Sequence, residues 1–158
     1  MVKRYIELFI IPPHSNVDLI LERLKEKYND KLNQIDIVIA SYLEEDFGIK
    51  KYDYVFGIMT MHHFLYDKKL DIYKKIKLAL KEEGSYIEGD YVVSKYNEKK
   101  WIKQRVELLK EQGDEKIKLY HIDIPFALTT QRRLFKEAGF KSLHIIFEKG
   151  EHLIYAVK

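Results

Sequence analysis

The chain closes on "KSLHIIFEKGEHLIYAVK", Lys141 to Lys158. Two alternating apolar runs flank Lys149-Gly150, which is the pattern of an antiparallel hairpin. This ending constrains the whole chain because of what precedes it. Upstream, β-rich runs alternate with helical stripes, and such strands pair in parallel through helical crossovers. The sequence therefore predicts an α/β layered sheet, mostly parallel, with an antiparallel hairpin from about Lys141 to Val157 at one edge.

The individual elements follow from local pattern. Tyr5 to Ile11 is β-rich and stops at Pro12-Pro13, which cannot continue a ladder. Only Glu7 interrupts its apolar run, so it is expected to be an interior strand. Ser15 and Asn16 suit a helix start, and Val17, Ile20, Leu21, Leu24 and Tyr28 follow at helical spacing. "IDIVIA", Ile35 to Ala40, and "YDYVFGIM", from Tyr52, are apolar strands. Asp67 opens a helix with Ile72, Tyr73, Ile76, Ala79 and Leu80 on one stripe, closed by Gly84. "SYIEGDYVV" is another strand. The segment from Tyr96 to Lys116 carries Trp101, Ile102, Arg105, Val106, Leu108 and Leu109 on one side, as a surface helix does. Thr129 or Thr130 caps a last helix with Leu134, Phe135 and Ala138 inward, ended by Gly139. No repeat, linker or low-complexity run divides residues 1–158, so one domain is expected.

Composition narrows the functions. The chain has no cysteine, which removes disulfides, thiolate metal sites and a cysteine nucleophile. A net charge of +3 gives no footprint for nucleic acid. In "EKKWIKQR" and beyond, Glu98, Glu107, Glu111, Asp114 and Glu115 break up the basic residues, which reads as a solvated helix face. The apolar run Ile6 to Ile11 is too short for a signal peptide or a membrane span, so a cytoplasmic protein is expected.

Two places can carry chemistry. In "YDYVFGIMTMHHF", His62 and His63 sit between an apolar strand and a helix. Neighbouring residues on a strand or helix do not face one ion, and no H-x-x-x-H spacing or nearby carboxylate completes a ligand set, so no metal is expected. An imidazole is suited to general-base work near neutral pH, which makes His62 a candidate. A turn histidine bonded to backbone explains the same residue. Asp90, in "EGDYV", stands at the carboxyl end of a predicted parallel strand, the edge where such sheets bind ligands. It can hold a substrate amine or accept a proton, or cap a local turn.

From Ile35 onward the pattern resembles the class I S-adenosylmethionine-dependent methyltransferases. "IDIVIASYLEEDF" is similar to that family's third strand and adenine-side loop. "YDYVFGIMTMHHF" is similar to its fourth strand, and "IKLALKEEGSYIEGDYV" to the helix, turn and fifth strand that follow. "DIPFALTTQRRLFKEAGFKSLHIIFEKGEHLIYAVK" resembles its last helix and closing hairpin. The resemblance implies a three-layer Rossmann-like sheet, S-adenosylmethionine as cofactor and a small-molecule substrate. It implies Ser41, Tyr42, Gly57, Met59 and His62 near the cofactor, and His62 and Asp90 as the catalytic pair. It also implies His62 facing the pocket, His63 packing into the fold, and a helical lid over about 95–118. The departures lie near the start. No glycine precedes Gly48, so the family's glycine-rich cofactor loop is lacking. If "IELFII" fills the second-strand position, Ile11 stands where the ribose-binding acid belongs, and Ser41 replaces the adenine-side acid. The sequence thus reads as an N-terminally truncated or diverged methyltransferase domain with impaired cofactor binding. A non-catalytic binding or assembly module of the same fold is the alternative. A sheet lacking its first strand has an open edge, from which a homodimer or a second polypeptide partner is expected.

Overall fold

The computed structural model describes the fold of residues 6–10, 17–41, 43–117 and 123–158. The chain divides into two compact units, Met1–Glu45 and Asp46–Lys158. The first contains strand β1, Ile6–Ile10, helix α1, Val17–Lys27, a short 3-10 turn, Asn29–Gln34, and strand β2, Ile35–Ile39. Asp18 lies in the first turn of α1 and Lys25 and Lys27 in the last, the charge order that a helix dipole favours. β1 and β2 pair in parallel, with Ile6 opposite Ile35 and Ile10 opposite Ile39. Among the described residues β2 is the only strand paired to β1. Within the described residues the interior position expected for Tyr5 to Ile11 is not met, and Tyr5 and Ile11 themselves lie outside them. Isoleucine-rich composition favours a strand but does not supply a second ladder partner.

The second unit holds strand β3, Tyr52–Ile58, helix α2, Tyr66–Ala79, and strand β4, Leu80–Tyr91. Helix α3, Lys95–Ile117, helix α4, Leu128–Glu137, and strands β5, Leu143–Lys149, and β6, His152–Val157, complete it. The strand order is β3-β4-β6-β5. β3 and β4 are parallel, joined by α2, while β4–β6 and β6–β5 are antiparallel. The hairpin sits where the sequence placed it, turning at Gly150 with φ +62°. Its second strand inserts between β4 and β5, so this sheet is not mostly parallel.

Alternation along β4 builds the core. Tyr86, Glu88 and Asp90 are buried, and α2 and α4 pack against each other with α2 against β4. Ile72, Tyr73, Ile76 and Ala79 of α2 meet Leu134 and Phe135 of α4, all buried. The Tyr73 and Phe135 rings lie 4.4 Å apart, and the Phe135 and Tyr155 rings meet edge-on at 5.6 Å. Each such side chain contributes about 1.5–3 kcal/mol on burial. Of the two helical layers that the expected three-layer sandwich has, helix α2, with α4 against it, forms one over one face of this sheet. On the other, Tyr54, Phe56 and Ile58 stand at alternate positions of β3 and are all more than half exposed.

Two local expectations are corrected. α2 ends at Ala79, not at Gly84, which lies inside β4. A side chain at Gly84 would press on the carbonyls of Tyr52 and Asp53 at 3.0–3.1 Å, so close approach of two strands explains the glycine. α4 begins after Ala127 without a side-chain cap, and Thr130 is buried inside its first turns.

Candidate functional site

The carboxyl ends of β3 and β4 meet at a single-turn 3-10 segment, Met61–His63. Met59, just after β3, has φ +51°, a conformation that costs a non-glycine residue about 1 kcal/mol or more. Its N–H donates to the Gly89 carbonyl at 2.8 Å, which ties the strained residue to β4. Met61 is buried and anchors the turn. The turn then sets His62 over the end of β4.

His62 and Asp90 form a buried pair, 4% and 2% exposed. The His62 Nδ1 lies 2.5 Å from Asp90 Oδ1, and the His62 backbone N–H donates to Oδ2 at 3.0 Å. The Tyr91 N–H donates to Oδ1 at 2.8 Å. Burial would raise the Asp90 carboxyl, but the His62 hydrogen bond, the Lys69 ammonium and the Tyr91 N–H outweigh it and hold it below the usual range. Asp90 is therefore a carboxylate that fixes the imidazole by ring and backbone at once. The sequence named both residues, and the structure brings them together.

The other side of the His62 ring opens on a pocket of about 300 Å³ lined by Met59, His62, His63, Tyr91 and Asp123. The Tyr91 ring lies 5.2 Å from that of His62. Asp123 reaches the site through a segment held along its length. The Ile124 N–H donates to the His62 carbonyl at 2.6 Å, and the Ala127 N–H donates to Glu98 Oε2 at 2.6 Å. Ile124 and Phe126 are fully buried, which pins the segment between these two bonds. Asp123 Oδ1 then stands 3.6 Å from His62 Nε2 and 3.5 Å from His63 Nδ1. The fold thus brings to the two histidines a carboxylate that lies far from them in sequence.

Not every expected residue joins the pocket. His63 does not pack into the fold but lines the pocket, less buried than His62. Gly57 faces the helix-covered side, where a Cβ would overlap the Tyr86 hydroxyl, so its glycine serves packing. Ser41 belongs to the first unit and organises a turn, its hydroxyl accepting from the Leu43 N–H at 3.3 Å. Tyr42 lies outside the described residues. Met59 and His62 are the two expected cofactor neighbours that line the pocket.

The sequence reading passed over two buried charges beneath the dyad. Glu88 accepts from Tyr73 at 2.6 Å, Tyr86 at 2.8 Å and Gln131 at 2.8 Å, and from Tyr155. Burial raises its carboxyl, and Lys69 and the tyrosines offset this in part. Lys69 is 1% exposed, its ammonium 4.9 Å from the Phe126 ring centroid, and burial pulls it below the usual lysine range. Both had a signal. Lys69 falls on the apolar stripe of Ile72, Tyr73 and Ile76, and Glu88 falls between Tyr86 and Asp90 on the inward side of β4.

No family model and no curated relative matches the sequence. Solved structures do. An O-methyltransferase family 2 protein from Planctomyces limnophilus, in complex with apigenin, superposes with a TM-score of 0.67 at 12% identity. The match covers 96% of this chain and 42% of that one. The S-adenosylmethionine-dependent methyltransferase SibL gives 0.68 at 10% identity, over 97% and 42% of the two chains. Human N-acetylserotonin methyltransferase, solved with S-adenosylmethionine, gives 0.62 at 14%, over 98% and 40%. The chain spans about two fifths of the length of these three proteins. At these identities the superpositions speak to fold alone: this chain has the fold of the class I S-adenosylmethionine-dependent methyltransferases.

Proposed function

We propose that the chain is an S-adenosylmethionine-dependent methyltransferase domain acting on a small molecule, with cofactor binding impaired in this chain by itself. The observation that carries the reading is the His62–Asp90 dyad opening on a pocket at the carboxyl ends of two parallel strands. An imidazole whose Nδ1 is held by a carboxylate presents Nε2 as a base. A small-molecule hydroxyl set against Nε2 gives its proton to His62, and Asp90 stabilises the imidazolium. Tyr91 and Met59 form the walls against which an acceptor lies.

The alternative, a non-catalytic binding module of the same fold, draws on a specific observation. No glycine precedes Gly48, and the resemblance puts Ser41, and Ile11 if "IELFII" is the second strand, where that family carries acids. Loss of two charge-assisted hydrogen bonds costs about 3 kcal/mol or more, over a hundredfold in affinity. Calorimetric titration of the chain with S-adenosylmethionine is expected to show weak or no binding. A dissociation constant in the low micromolar range would refute the impairment and leave the enzyme reading standing. Methyl transfer that survives His62→Ala undiminished would remove the role given to the dyad.

We further propose that the chain forms a homodimer or pairs with a second polypeptide. The exposed Tyr54, Phe56 and Ile58 on β3 support it. Light scattering is expected to give a mass above 19.0 kDa. A monomer at high micromolar concentration would remove the homodimer and leave only pairing with a second polypeptide.

A further inference from the structure

We infer that His62, His63 and Asp123 form a binding site for a divalent transition-metal ion of the zinc class, with an open coordination position facing the pocket. The inference goes beyond the acid–base reading and does not need it, since metal binding is measured without cofactor or acceptor.

The geometry carries the inference. The ligand atoms of the three residues lie within 4.8 Å of one another. Zinc binds imidazole nitrogen and carboxylate oxygen at about 2.0–2.2 Å in tetrahedral geometry, which sets ligand atoms about 3.3–3.6 Å apart. Asp123 Oδ1 lies 3.6 Å from His62 Nε2 and 3.5 Å from His63 Nδ1. These separations are long for hydrogen bonds and right for two ligands of one ion. Adjacent histidines could not converge on a regular strand or helix, but the 3-10 turn after Met59 sets their rings 4.0 Å apart at 62°.

The surroundings add an independent point. A metal-binding histidine usually gives its other ring N–H to a carboxylate, which fixes the tautomer and makes the ligand nitrogen more basic. His62 has that partner in Asp90, at 2.5 Å on Nδ1. The set is two imidazoles and one carboxylate, a donor mix suited to zinc and its first-row neighbours. Three protein ligands leave a tetrahedral ion one position for water or a ligand atom, and the pocket lies there. Nε2 of His62 cannot take a proton while it binds metal, so the ion-bound and proton-accepting states exclude one another.

The test is titration of the chelator-treated chain with zinc by calorimetry and with cobalt(II) by visible absorption. One ion per chain, with the intense d–d bands of a tetrahedral cobalt site, is expected. His63→Ala and Asp123→Ala should each weaken binding at least tenfold, and Asp123→Asn should do so with the side-chain shape kept. His144→Gln, on exposed β5, should leave it unchanged. Circular dichroism confirms that each variant is folded. Absence of binding at 100 µM zinc would overturn the inference. So would one-to-one binding that His63→Ala and Asp123→Asn leave intact, or binding that His144→Gln abolishes.

Discussion

Glu88→Ala is expected to remove about 4 kcal/mol or more of the stability of the unit Asp46–Lys158. Glu88 is fully buried, and its two oxygens accept from Tyr73, Tyr86, Tyr155 and Gln131. Truncation leaves the three tyrosine hydroxyls without their acceptor, at about 1–3 kcal/mol each before relaxation, while the Gln131 amide keeps the Tyr155 hydroxyl, and it opens a cavity among aromatic rings. Glu88→Gln keeps the volume and one acceptor oxygen, so a loss of about 1–2 kcal/mol is expected. Urea unfolding followed by near-ultraviolet circular dichroism of the tyrosines reads both. A near-neutral Glu88→Ala would show that the hydroxyls find other acceptors and that the network does not hold this core.

The same residue predicts a pH slope. Burial raises the Glu88 carboxyl in the folded protein. Between the unfolded value, about 4.3, and the raised folded value, the folded state keeps a proton that the unfolded state has released. Stability contributed by Glu88 therefore falls as pH rises through that window. Glu88→Gln should abolish this decline. Burial first, and then the Glu88 charge, also raise Tyr73, Tyr86 and Tyr155 well above their usual value, so stability should fall again above about pH 10.

Asp90→Ala is the second large loss, about 3 kcal/mol. It deprives the buried backbone N–H of His62, the N–H of Tyr91 and the His62 ring of one shared acceptor. Asp90→Asn keeps an acceptor oxygen for the backbone and should cost about 1 kcal/mol. Its larger effect falls on the imidazole. An amide does not fix Nδ1–H as a carboxylate does, so nitrogen-edited spectra should show the His62 tautomer become mixed. The pH sign is opposite to that of Glu88. The folded Asp90 carboxyl is depressed, so its stabilisation is present above about pH 3.9 and is lost as pH falls towards the folded value. Asp90→Asn should flatten the acid limb of the stability curve. An unchanged tautomer and an unchanged acid limb would together remove the dyad.

Much of this was legible because it rests on short-range pattern. The hairpin around Gly150, the α2 stripe and the β-rich runs are set by side-chain periodicity and turn chemistry, which act over a few residues. His62 and Asp90 were legible for a related reason. Each stands where a parallel strand ends, and strand ends in such sheets converge on ligands. The lack of any glycine before Gly48 was also visible, since an absent glycine is a property of composition.

Tertiary structure alone decided the rest. Asp123 enters the site because Ile124 and Phe126 are buried and Ile124 bonds the His62 carbonyl, contacts between residues far apart in sequence. No local pattern marks such a residue. His63 turned to the pocket because Met59 takes a left-handed conformation that its own type disfavours, imposed by the bond to Gly89. Gly57 looked like a cofactor residue and proved to be room for Tyr86, because only packing reveals which atom fills the space above a glycine. Sequence by itself determined which elements form and which strand ends carry chemistry, since both follow from propensity and periodicity. The fold decided which distant groups share a pocket, since that depends on the burial of segments whose partners lie elsewhere in the chain.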